Sequence, residues 1–329
     1  MADPQELRLG TRGSQLALWQ AHTVAERIAA AGGPPCRIVI ITTSGDRLQE
    51  AALSNAGGKR LFVKEIEDAL LAGDIDLAVH SSKDMPVVLA DGLTVAAVLP
   101  REQPLDVIVL PVTAHTRALS TIGDLVTHLG QSPSIGTSSV RRIAQLSRLF
   151  SCAHFKPIRG NLDTRLRKLD AGGYDGIVLA AAGLRRLGFA SRISYTLPAT
   201  ACVPAPGQGI VAIEIRANDE DTRARVAGID DAAANAELTA ERAVVAALGG
   251  GCQTPIGALA TVKDDETIEI AAIVVALDGS RAVRKQAVGP RREAAALGTS
   301  VGAQLLADGA AEILAEASRH QSPTVTHPS

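Results

Sequence analysis

Phe62-Val63-Lys64-Glu65-Ile66-Glu67-Asp68-Ala69-Leu70-Leu71-Ala72, followed four residues later by Leu77-Ala78-Val79-His80, reads as a helix that feeds a buried strand. Phe62, Ile66, Ala69 and Leu70 fall on one face of a 3.6-residue period, and the run from Leu77 is short, apolar and entered through a Gly-Asp turn. The same alternation recurs on both sides. Leu7–Gly10, Arg37–Thr42, Thr94–Leu99, Val107–Leu110, Ser134–Gly136 and Gly176–Ala180 read as strands. Gln15–Ala30, Val140–Leu149 and Leu162–Asp170 read as helices. Strands alternating with helices predict parallel sheets covered on both faces.

Two Pro-containing stretches, Leu99–Pro104 and Ala201–Gly207, read as stiff crossings between domains. A chain that leaves a first lobe at one and returns at the other makes that lobe discontinuous, with a cleft between two α/β lobes. The expected division is residues 1–103 with 205–230, then 104–204, then 231–320. In the last part a helix over Ala234–Ala247 precedes the runs Ile256–Val262, Thr267–Leu277 and Arg281–Val288, and a long helix near Glu293–Ala317 closes the pattern. Consecutive strands without helices between them predict a small α+β domain with a three-stranded antiparallel sheet. The polar, Pro-containing tail Ser318–Ser329 reads as disordered, with residues 321–329 lying beyond the third domain.

The chain has 329 residues, is 46% hydrophobic with only 2% aromatics, and carries a net charge of −2. Its core must therefore be built from Ala, Val, Leu and Ile. Few aromatics and a near-neutral charge argue against nucleic-acid binding. The N-terminus lacks the basic and apolar regions of a signal peptide, and no run is long enough to span a membrane. Cys36, Cys152, Cys202 and Cys252 are scattered, so neither a disulfide framework nor a zinc site is expected. The reading is a cytoplasmic protein, with nothing that forces an oligomer.

Cations cluster where ligands bind. Residues 136–168 hold Arg141, Arg142, Arg148, Lys156, Arg159, Arg165, Arg167 and Lys168 against the single acid Asp163. Arg141 and Arg142 open a helix after a strand. Arg159 and Arg165 flank Gly160-Asn161-Leu162-Asp163, a helix start with Asn161 as cap. Arg186 follows another strand. In the first lobe Arg12 and Ser14 follow the first strand, and Ser81, Ser82, Lys83 and Asp84 follow the strand ending at His80. Carboxyl ends of strands are where open α/β sheets bind ligands, and guanidinium groups pair with carboxylates or phosphates. These positions predict a cleft for a ligand with several anionic groups, whereas Arg148, Arg167 and Lys168 read as a solvated face.

Asp84, a carboxylate among cations, is either an ion-pair partner or an acid/base group that stabilises developing positive charge. No ligand spacing supports a metal, and His80 reads as a strand cap. Gly57–Lys59, inside a polar run that ends near Phe62, is either a lid or a plain surface loop. Cys252 stands in Leu248-Gly249-Gly250-Gly251-Cys252-Gln253-Thr254-Pro255, where three glycines leave the thiol on a bare loop. It is either a reactive thiol or an incidental residue of a linker.

The chain resembles the porphobilinogen deaminase (hydroxymethylbilane synthase) family. The matching stretches are Leu7–Ser14 with Leu16–Gln20, Thr43–Asp46, Gly58-Lys59 with Leu61–Glu65, His80-Ser81 with Lys83-Asp84, Gly136–Arg142, Arg159–Arg165, Pro206–Gly209, and Gly250–Gln253 with Pro255–Gly257. The resemblance implies two periplasmic-binding-protein-like α/β lobes and a third domain that carries a dipyrromethane cofactor on Cys252 through a thioether. It implies that four porphobilinogens are condensed in turn, each losing ammonia, and that a linear tetrapyrrole is released. It further implies that Asp84, Lys83 and Arg12 take part in catalysis. Ser14, Ser81, Lys83, Asp84, Thr137, Ser138, Ser139, Arg141, Arg142, Arg159 and Gly160 would hold the cofactor. Arg12, Arg159, Arg165, Arg186, Lys59, Phe62 and Gln208 would hold substrate or growing chain. Ser82, Gln103 and Leu105 depart from the family pattern, which commonly has Met, Asp and Arg there. A non-catalytic two-lobed binding module for a polycarboxylate is the alternative, and it leaves Cys252 without purpose.

Overall fold

The structure, a computed structural model, describes residues 6–43, 63–114, 119–250 and 254–321. The chain begins with β1 (Leu7–Thr11), α1 (Gln15–Ala30), β2 (Cys36–Ile40), α2 (Lys64–Ala72), β3 (Leu77–Ser81) and β4 (Leu93–Val98). A second group comprises β5 (Asp106–Val109), α3 (Ile122–Leu129), β6 (Ser134–Gly136), α4 (Val140–Leu146) and β7 (His154–Lys156), then α5 (Leu162–Asp170), β8 (Gly176–Ala180), α6 (Ala181–Arg186) and β9 (Tyr195–Thr196). It ends with β10 (Val211–Arg216), α7 (Glu220–Val226), α8 (Ala232–Ala247), β11 (Ile256–Val262), β12 (Thr267–Val275), β13 (Ala282–Pro290), α9 (Ala294–Leu305) and α10 (Ala311–Gln321).

Two five-stranded sheets share one plan. The first has the order β2-β1-β3-β10-β4 and the second β7-β6-β8-β5-β9. In each, four strands run in one direction and one runs against its neighbours: β10 against β3 and β4, and β5 against β8 and β9. The parallel sheets expected from the alternation are mixed, each with one reversed strand. The antiparallel strands are the ones entered directly from the other lobe, β5 after the outgoing link and β10 after the return. They arrive without the intervening helix that a parallel crossover requires.

Burial follows the sequence periodicity. Ile66 and Leu70 of α2 are fully enclosed, packed with Ile75 and Ala78, while Leu9, Ile28, Leu77 and Ile213 form the other side of that lobe's core. Each of these Leu and Ile side chains contributes about 1.5–3 kcal/mol on removal from water. In the third sheet, order β11-β12-β13, Ile268, Ile270, Ala272 and Val274 face α8 and α9 at every second position. Ile273 and Val275, on the opposite face, pack with Ala144 and Val203, which fastens this sheet to the second lobe and the return link.

Three further expectations change. Gly309, at φ +99°, breaks the single closing helix into α9 and α10. Ser318–Gln321 continues α10 instead of beginning a disordered tail; residues 322–329 lie outside the described residues. His80 is not a cap. It is buried within β3, opposite Ala212, with its Nε2 3.0 Å from Glu214 Oε2 on β10.

Candidate active site

The carboxyl ends of β1 and β3 face the amino-terminal ends of α4 and α5 and the body of α6 across a cavity of about 330 Å³. From the first lobe come Arg12, Ser14, Ser81, Lys83 and Asp84; from the second come Arg142, Gly160, Arg165 and Arg186; Gln208 joins them from the return link. Ser14 caps α1, its Oγ accepting from Ala17 N at 3.3 Å. Ser81 Oγ is held by Gln20 of α1, whose Nε2 donates to it at 2.8 Å. Immediately after β3 the chain tightens into a single 3₁₀ turn, Ser82–Asp84, which carries both Lys83 and Asp84 to the cavity.

The cations are held individually. Arg165 donates from Nε to Gly160 O at 2.8 Å, and burial lowers its pKa, with Arg142 adding to that effect. Arg186 donates to Gly209 O at 2.6 Å, and burial brings its guanidinium down to about 10. Burial brings the Lys83 ammonium down to about 8, opposed by Asp84 beside it. Lys83 keeps a share of its surface on the cavity, so a ligand can reach it. Five cations and one carboxylate around one space suit a ligand that brings several carboxylates and develops a positive charge near Asp84.

Arg141 departs from its expected place. It is buried, does not line the cavity, and pairs with Asp106 Oδ2 at 2.7 Å while donating to Val203 O at 2.7 Å. A guanidinium inside the protein needs such partners, and the return link supplies one of them. Thr137, Ser138 and Ser139 also stand behind the wall. Ser138 Oγ donates to Ile158 O at 3.1 Å, and Thr137 Oγ accepts from Ser139 N at 3.2 Å, so these hydroxyls shape the turn into α4. Arg159 lies beside Gly160 and is not part of the lining. Asn161 occupies the cap position of α5 without a side-chain capping bond, and lines the cavity instead. Cys252, Lys59 and Phe62 lie outside the described residues.

The two links meet beneath the cavity. Gly209 is at φ +90°, and a Cβ there would stand 2.2 Å from Glu102 O. Only glycine lets the return link lie this close to the outgoing one. Arg101, on the outgoing link, donates from Nε to Gln208 O at 2.9 Å and from Nη1 to Glu241 Oε1 at 2.7 Å. Glu241, fully buried on α8, also accepts from Gly207 N and Ala260 N. One ion pair thus joins both links to the third sheet. Of the departures from the family pattern, Ser82 is buried against Gly207, and Gln103 Oε1 accepts from Leu105 N at 3.4 Å.

Sequence reasoning passed over Asp106, Gln20 and the Arg101–Glu241 pair. Asp106 did leave a signal, since it is a lone acid at the head of the apolar run Val107–Leu110. The other two are set only by tertiary contact.

Fold and cleft together define a two-lobed α/β protein for a ligand bearing several anionic groups. The family profile "Porphobilinogen deaminase, dipyromethane cofactor binding domain" matches residues 7–224, and "Porphobilinogen deaminase, C-terminal domain" matches 235–307. Porphobilinogen deaminase of Bordetella parapertussis is 46% identical over 96% of this chain and 98% of its own length, and that of Moorella thermoacetica is 44% identical over 94% and 96%. The chain belongs to the porphobilinogen deaminase family. Among solved structures, the VFT2 domain of Bordetella pertussis BvgS overlaps 70% of this chain and 88% of its own at 15% identity, with a TM-score of 0.41. That overlap has no bearing on function. Among the described residues no helix is long and apolar enough to cross a membrane.

Proposed function

We propose that this protein condenses four porphobilinogen molecules head to tail into the linear tetrapyrrole hydroxymethylbilane. Each addition forms one carbon–carbon bond between pyrroles, breaks one aminomethyl C–N bond and releases one ammonia; one water then cleaves the bond between primer and finished chain and supplies the hydroxyl of the product. In a chain of this family, the observation that carries the reading is the single cavity shared by Asp84 and the cations Arg12, Lys83, Arg142, Arg165 and Arg186.

The residues present suit a dipyrromethane cofactor, because a wall of guanidinium and ammonium groups matches the carboxylates of a pyrrole pair. When bound through Cys252, the cofactor supplies a nucleophilic pyrrole carbon and a tether that makes each condensation effectively intramolecular. Arg142, with Ser14, Ser81, Gly160 and Lys83, holds its acidic arms. Arg12, Arg165 and Arg186, with Gln208, hold those of the incoming substrate and growing chain. Asp84 assists departure of the amine and stabilises the pyrrole cation left behind. Arg141, Thr137, Ser138 and Ser139 support this wall from behind. Lys59, Phe62 and Arg159 belong to the same reading by family resemblance.

The domain bounds proposed are 1–103 with 205–230, 104–204 and 231–320, and they are supported by the two links and the three sheets. A cytoplasmic monomer belongs to the same reading. The deciding experiment is intact-mass measurement of the purified protein with Ehrlich's reagent as a colour test. A pyrrolic adduct mapping to Cys252, with conversion of porphobilinogen, is expected. A bare polypeptide mass without conversion after attempted reconstitution would favour a non-catalytic binding module.

A further inference from the structure

Asp106 opens β5 and has no exposed surface. A carboxylate is tolerated there only with several donors, and it has them. Oδ2 lies 2.7 Å from Arg141 Nη1 and takes the Cys202 thiol at 3.4 Å. Oδ1 accepts from Arg142 at 2.7 and 3.1 Å, and from Gln208 Nε2 at 2.9 Å. Burial by itself would raise this carboxyl, but Arg141 and Arg142 more than offset it and hold it well below the usual carboxylate range. The same surroundings push the Cys202 thiol up to about 12, burial first and Asp106 next, so it stays a protonated donor.

Two of these donors, Arg142 and Gln208, line the cavity, while Asp106 does not. They reach it from different parts of the chain, Arg142 from α4 of the second lobe and Gln208 from the return link. Gln208 Nε2 also donates to Pro104 O at 2.6 Å, on the outgoing link. With two acceptors facing its nitrogen, the amide orientation is determined by its partners. Arg142 has its other terminal nitrogen on Val178 O at 2.8 Å.

We propose that Asp106 is a positioning residue, which from behind the wall holds Arg142 and Gln208 at the spacing a carboxylate-bearing pyrrole ligand requires. The proposal rests on the function argued above insofar as Arg142 and Gln208 meet that ligand. Asp106 also acts on Lys83 across the same wall. Lys83 is faced by Asp84 of its own turn, Asp106 of β5, and Arg141 and Arg142 of α4; the two acids favour its charged form and the two arginines oppose it.

The test uses cofactor-carrying enzyme with Asp106→Asn, which keeps the shape and removes the charge, and Asp106→Glu, which keeps the charge and displaces it by one methylene. Thermal melting reports folding, and steady-state kinetics separate KM from kcat. KM for porphobilinogen is expected to rise about tenfold or more in both variants, with a smaller change in kcat. Reductive methylation of Lys83 at different pH, followed by peptide mass spectrometry, reads the charge effect without turnover. Its midpoint should move to lower pH in Asp106→Asn and stay in place in Asp106→Glu. An unchanged KM in a folded variant, or an unmoved Lys83 midpoint in Asp106→Asn, overturns the proposal. Failure of both variants to fold would confine Asp106 to the core and overturn it too. Absence of turnover in the unsubstituted protein would strike the function reading, while the Lys83 midpoint would still judge Asp106.

Discussion

Arg186 of the second lobe stands over the ring of Trp19 in the first, 5.5 Å from its centroid, and donates to Gly209 O on the return link. One guanidinium therefore touches both lobes and the segment joining them, at the rim of the cavity. Trp19 is the sole tryptophan of the chain, so the contact has its own optical reporter. Trp19→Leu should raise KM about two- to fivefold, in keeping with an accessible cation–π contact. Arg186→Gln should shift Trp19 emission in the absence of substrate. An emission spectrum identical to that of the unsubstituted protein would show the contact is not made in solution.

Asp84→Asn should lower kcat by about a hundredfold or more, because an amide can neither shuttle a proton nor stabilise a cation. Melting temperature and the mass of the cofactor-bearing chain should be unchanged. Unchanged kcat would remove Asp84 from the chemistry and leave it as a charge that favours the ammonium form of Lys83.

Lys83 sets a pH dependence with a definite sign. Burial brings its ammonium down to about 8, so the free enzyme loses this cation as pH rises through that value. Binding of an anionic substrate should weaken there, and kcat/KM should fall on the alkaline side of about 8. In Lys83→Arg the guanidinium stays charged, and the fall should move to higher pH. A pH profile of kcat/KM with the same alkaline limb in both proteins would assign that limb to another group.

The Arg101–Glu241 pair is a stability element, enclosed on both sides. Arg101→Met leaves the Glu241 carboxylate buried without its cation and should destabilise the fold by about 3–5 kcal/mol; Glu241→Gln, which leaves Arg101 its longer 3.4 Å contact with Glu237, should cost less. Chemical denaturation of the single variants and of the double variant measures it. A double variant that loses as much as both singles together would mean the pair is not coupled.

Much of this architecture was legible before any coordinates. α1 and α5 begin and end where the periodicity of Gln15–Ala30 and Leu162–Asp170 placed them, since an amphipathic helix carries its own signal in the spacing of its apolar residues. β10 was missed despite a buried run from Val211. Its neighbours β3 and β4 lie more than a hundred residues away in the chain, and a strand is stabilised by its partners more than by its own residues. β7 and β9, three and two residues long, left no periodic signal at all.

Side-chain direction divides the site in the same way. The order of residues was enough to bring Arg12, Lys83, Asp84, Arg142, Arg165 and Arg186 to strand and helix ends, because local hydrogen bonding and apolar spacing dictate where elements start and stop. It could not separate Arg142, which reaches the cavity, from its neighbour Arg141, which turns inward to Asp106 and Val203. Adjacent helical positions point about 100° apart, and which of the two meets the cleft depends on how α4 is rotated against the return link. That rotation is decided by long-range packing and by one buried carboxylate.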